Sequence, residues 1–230
     1  MKTINIKSLP LVALAASTLV AAALLAGCAS SGYDKGNKAA AGIQATANDI
    51  GALPGLIDKT LASLNELVEK PQADLRPQYK QFSANVDKVA STAKDIAAAR
   101  AKMGTQQKEF FAKWDEQLAQ IKNEDIKARS QSRKDEVNEK LLNIKRSYVD
   151  AEQAFKPFMA DLRDVQKFLS VDLTTGGVTA IKDTAAKATT HAAPLKVSIG
   201  KLADDFKALG VSMSSVTPAP AAPATPEPAK

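Results

Sequence analysis

Between residues 43 and 209 apolar side chains recur at alternating steps of three and four, the spacing that lines one face of a helix. The first run includes Ile43, Ala47, Ile50, Ile57, Leu61, Leu64 and Val68. A second begins at Leu75 and passes through Phe82, Val86, Val89, Ile96, Arg100, Met103, Gln107, Phe110 and Trp114 to Ile121. A third runs from Ile126 through Ser130, Arg133, Val137, Ile144, Tyr148, Phe158 and Leu162 to Leu169. The fourth leads from Val178 through Ala185, Leu195 and Ile199 to Leu209. Three breaks separate them: residues 71–77 with a proline at each end, Asn123-Glu124-Asp125, and Thr174-Thr175-Gly176-Gly177. The pattern predicts four helices.

Short connections make successive helices antiparallel, and the register tests that directly. Val68 and Leu75, Leu61 and Phe82, and Ile50 and Ala93 each lie equidistant from the first break. The same holds for Trp114 with Arg133 and Val89 with Phe158 about the second. Leu169 with Val178 and Tyr148 with Ile199 do so about the third. The fold class is therefore all-α, an elongated antiparallel four-helix coiled-coil bundle. Helices two and three, at about 46 residues each, reach roughly 70 Å. The outer two are shorter, which predicts a two-helix tip above the level of Phe110 and Val137, projecting roughly 30 Å beyond helix one. Pro54, Pro157 and Pro194 fall at one height and predict a bend there. The agreeing registers support one continuous bundle, and the pattern leaves open a bundle completed by a second chain, a homo-oligomer.

The ends carry different information. Residues 1–27 hold Lys2 and Lys7, no acidic residue, and an apolar run over 11–26, the order of a secretory signal peptide. An uncleaved membrane anchor is the alternative, weakened by Pro10, Ser17 and Thr18. The run ends in Leu25-Ala26-Gly27-Cys28, which resembles the lipobox of bacterial lipoproteins. That resemblance implies acylation of Cys28, and Ala29-Ser30 after it implies the periplasmic face of the outer membrane. Two or three acyl chains would fix the protein there almost permanently. The expected organisation is a signal peptide over 1–27, a lipidated tether over 28–38, a helical domain over 39–210, and a Pro/Ala-rich disordered tail over 211–230.

Composition excludes more than it assigns. One Cys precludes an internal disulfide, and one His argues against a histidine metal centre; no cofactor is expected. Removing Lys2 and Lys7 takes the basic count from 31 to 29 against 25 acidic residues, net +4, too mild and dispersed for a nucleic-acid binder. No phosphate loop, nucleophile elbow or zinc-protease motif is present. His191 reads as a half-exposed helix residue without an acid–base partner, and Gly176-Gly177 as a turn.

The tip is the candidate contact site. Phe110, Phe111 and Trp114 cluster with Lys113, and Arg133 falls opposite Trp114, which allows a cation–π contact. Lys108, Lys122, Lys127, Arg129 and Lys134 surround them. Two readings compete: aromatics sealing a seam, or a surface for a membrane or an envelope protein.

Trp114 with Glu116 and Leu118, then Arg146-Ser147-Tyr148, Pro157, Leu162-Arg163-Asp164 and Phe168-Leu169, form a pattern similar to a family of proteobacterial lipoproteins, domain of unknown function 2959. The similarity extends over residues 33–209, with departures in the Ala-rich fourth helix and the Pro/Ala tail. The resemblance implies a helical envelope lipoprotein and assigns no activity and no site. The expectation is a non-enzymatic, lipid-anchored scaffold or adaptor with an envelope protein partner. The alternative is a membrane-surface module using a bent rod and a basic aromatic tip.

Overall fold

A computed structural model describes residues 32–214. Cys28, the expected signal peptide and most of the Pro/Ala tail lie outside the described residues. Five helices follow in order: α1 Gly32–Glu69, α2 Arg76–Ala119, α3 Glu124–Leu169, α4 Thr175–Ala180 and α5 Lys182–Met213. No strand occurs among the described residues. α5 lies along both α3 and α1, α1 along α2, and α2 touches α3 most sparsely; the diagonal pairs α1/α3 and α2/α5 do not meet. The long helices thus form a ring of four.

Cross-helix contacts between successive helices match the expected register to within about five residues. Asn85 on α2 donates to Ser63 Oγ on α1 at 3.0 Å, and Tyr79 Oη on α2 donates to the Gln166 carbonyl of α3 at 3.0 Å. Ser147 on α3 meets Asp205 on α5. The ring closes through Lys196 on α5 and Asp58 on α1, 2.8 Å apart. Inside, Ile50, Ile57, Leu64, Phe82, Phe158, Leu162, Leu195 and Leu209 are fully buried. Each such side chain contributes about 2 kcal/mol by leaving water. Truncating Phe158, the largest on α3, would cost about 3–5 kcal/mol.

Local chemistry sets the corners. Pro77 sits in the first turn of α2, where no backbone donor is needed. Just before it, Asp74 accepts from the Arg76 side chain at 2.9 Å and its backbone N–H at 3.0 Å, which hold the Asp74 carboxyl below its ordinary value. Asn123 caps α3 by accepting from the Ile126 N–H at 3.0 Å, with Glu124 and Asp125 in the first turn matching the helix dipole. Thr174 caps α4 by accepting from the Gly177 N–H at 3.1 Å.

Four differences from the sequence expectation have physical causes. The expected fourth helix is two, α4 and α5, separated at Ile181. Gly176 and Gly177 lie in the first turn of α4 rather than in a loop, because the Thr174 cap draws them into the helix. Gly177 is obligatory there: a Cβ would stand 2.1 Å from the Asp172 carbonyl oxygen. α1 starts at Gly32, so residues 32–38 of the expected tether are helical, and α5 runs on to Met213.

That last pair of extensions shortens the tip. The Arg133 guanidinium reaches the Ser212 carbonyl, so α5 covers α3 up to Arg133. Residues 124–133 of α3 are what project past it, about 15 Å, so the two-helix tip begins near Arg133 rather than at Val137. Pro54, Pro157 and Pro194 lie inside α1, α3 and α5, and none of them interrupts its helix.

Candidate functional site

At the tip, α2 and α3 meet through side chains chosen by their heptad positions. The Trp114 indole N–H donates to Ser130 Oγ at 2.9 Å, and the ring is half-buried. Phe110 packs edge-on against Trp114 with centroids 5.4 Å apart, and Phe111 lies tilted at 6.5 Å. The cation over this cluster is Lys134, whose Nζ stands 5.6 Å from the Phe111 centroid and pairs with Asp115. Arg133 instead turns to Glu136 and the Ser212 carbonyl. The anticipated Arg133–Trp114 contact is therefore replaced by Lys134–Phe111, because the α5 carbonyls reach the height of Arg133 and offer better acceptors than an indole face.

Exposure divides the cluster. Phe111 and Trp114 close the seam, whereas Phe110 is 38% exposed and Lys113 faces solvent. Ile126, expected in the core, is 51% exposed at the end of α3. α2 ends at Ala119, short of that height. Lower on the seam, the polar core position Arg100 is explained by its guanidinium lying 4.2 Å from the Tyr148 centroid.

Sequence reasoning missed a second feature. Below Arg100 the four long helices surround a cleft of about 490 Å³. Its floor is buried aliphatic surface from α1 and α5, notably Ile50, Leu53, Leu195 and Ile199. Half-buried Ala90, Ala93, Ile96 and Ala97 of α2 form one wall, and Tyr148 and Phe155 of α3 the other. Exposed Lys94, Glu152, Lys156 and Arg163 line the mouth. Glu152 pairs with Lys156 at 3.2 Å; among the described residues Lys94 and Arg163 make no ion pair. The cause is local: three alanines at seam positions of α2 are too small to reach α3. Consistent with this, the buried residues of α2 are confined to Phe82, Val86 and Val89. The available signal was Ala90, Ala93 and Ala97 recurring at the height of the three prolines.

Other candidate chemistry resolves into packing. His191 does have a partner: Nδ1 lies 2.7 Å from Asp161 Oδ2, joining α5 to α3. Ser147 bonds both Lys201 and Asp205 of α5, but at 1% exposure its hydroxyl meets no substrate. Among the described residues no group of His, Cys, Asp and Glu is placed to hold a metal. No described helix is long and apolar enough to cross a membrane.

Neither a curated protein nor a solved structure matches this chain. Residues 32–206, α1 to the last turns of α5, match the family described as Protein of unknown function (DUF2959), and the chain belongs to that family.

Proposed function

We propose that this protein is a non-enzymatic, lipid-anchored helical scaffold or adaptor on the periplasmic face of the outer membrane. The observation that carries the reading is where α1 begins. Gly32 follows Cys28 by only four positions, at most about 14 Å of extended chain, so acyl chains on Cys28 would hold a rigid rod almost directly. α2 and α3, roughly 70 Å long, then supply reach, and the tip lies at the same end as the anchor.

The test uses the full-length protein in cells. A palmitate analogue should label the wild type and place it in the membrane fraction, and Cys28→Ala should abolish both. A photo-crosslinking residue at the exposed position 113 should capture one reproducible envelope protein. Labelling that survives Cys28→Ala would overturn the anchor, and cross-links confined to the chain itself would overturn the adaptor role.

A second reading, a membrane-surface module, is favoured by the exposed Phe110 beside Lys113 and by the exposed Ile126 at the end of α3, apolar and basic groups at the tip. Lipid adducts from position 113 without a protein partner would select it.

A further inference from the structure

The cleft between the four helices has no part in a scaffold, and its chemistry is specific. We propose that it binds one long acyl chain carrying an anionic head, a ligand of the fatty-acid class. Three observations converge on that occupant. The volume, about 490 Å³, lies in the range of small-molecule pockets, roughly 300–1,000 Å³. The interior is aliphatic and aromatic, formed by side chains such as Ile50, Leu53, Ile199 and Phe155, and it offers a chain apolar contact from all four helices. The mouth is cationic, with Lys94, Lys156 and Arg163 against the single carboxylate of Glu152.

Charge complementarity separates this ligand from the alternatives. A neutral hydrocarbon would leave the cations at the rim, Lys94 and Arg163, unused. A helix from a second copy would have to set its diameter, about 10 Å with side chains, into a gap walled by alanines on one side only. An extended acyl chain is thin enough to lie along the alanine wall, with its carboxylate among the cations of the rim. The floor is buried apolar surface, and so each methylene that enters the cleft leaves water for a preformed apolar wall.

Titration of the full-length protein, held in a nonionic amphipol so that free detergent does not compete, with cis-parinaric acid tests the idea. Saturable binding of one acid per chain is expected. Among saturated acids competing for the site, affinity should rise about three- to fourfold per added methylene until the cleft is full. Ala93→Phe and Ala97→Leu, which fill the alanine wall, should each weaken binding at least tenfold with helicity unchanged. Lys94→Glu with Lys156→Glu should weaken the acid while leaving its methyl ester unaffected. Equal binding of acid and ester would overturn the anionic head. Unchanged affinity in both filling variants would overturn the location, and the absence of saturation would overturn the proposal. Because none of these readouts depends on Cys28 or on a protein partner, failure here is distinct from failure of the scaffold reading.

Discussion

Two adjacent glycines show how differently the same residue type can be constrained. A Cβ on Gly176 would approach Thr174 Oγ1 at 3.5 Å, an ordinary contact, whereas on Gly177 it would strike a backbone carbonyl at 2.1 Å. Gly177→Ala should therefore cost about 2 kcal/mol, as overpacking does, and lower the melting temperature by several degrees. Gly176→Ala should be neutral or stabilising by up to about 1 kcal/mol, since alanine favours the helix. Thermal unfolding followed by circular dichroism distinguishes the pair, and equal losses at both would refute the steric argument. At the His191–Asp161 pair, His191→Ala removes a 2.7 Å bond and strands a carboxylate whose side chain is only 17% exposed. The expected loss is about 1–2 kcal/mol in urea unfolding, and Asp161→Ala made in the same background should add little. None of this was visible in the sequence. The Gly-Gly pair signals a break but not a capped helix, and His191 meets Asp161 only once α3 and α5 are aligned.

Among the helices, α2 stands apart. α5 is held along its length by both α1 and α3, but α2 keeps its buried residues near one end, at Phe82, Val86 and Val89. Past Ala90 it is joined to α3 by side chains that span the gap, such as Arg100 on Tyr148 and Trp114 on Ser130. Few buried apolar contacts mean a low cost of local opening. Hydrogen exchange should accordingly be faster over residues 95–119 than over residues 76–90 or the middle of α3; uniform protection along α2 would show that the seam is as strong as the core. The break positions were legible because the prolines, Asn123 and Thr174 mark helix boundaries by local chemistry, Asn123 and Thr174 as N-caps. The break at Ile181 was not legible. Ile181 keeps its core position and near-helical backbone, φ −91° and ψ −2°, so the apolar period runs through it unbroken. The start of α1 was hidden for the opposite reason, since residues 34–42 carry no large apolar side chain to mark a phase. Nor could the pattern reveal the cleft: alanine counts as a core residue by polarity, but it does not fill one by volume.

Over the whole molecule, the three helix-interior prolines and the cleft share one height. Leu53, Lys156 and Leu195 line the cleft and are the chain neighbours of Pro54, Pro157 and Pro194. A proline inside a helix costs about 3 kcal/mol through its missing N–H and its clash with the preceding turn, yet α1, α3 and α5 each carry one. Restoring alanine returns that amount less about 1 kcal/mol for the freer unfolded chain, so a net gain of about 1–2 kcal/mol per site is expected. Pro157 and Pro194 are exposed and their replacement disturbs no packing, which makes Pro157→Ala with Pro194→Ala the informative variant. It should unfold several degrees higher than the wild type. If the prolines hold the helices apart around the cleft, the same variant should bind cis-parinaric acid more weakly, gaining stability while losing the site. A variant that melts lower would show that these backbones are unstrained. One that melts higher with binding intact would place the cause of the cleft in the alanines of α2 alone.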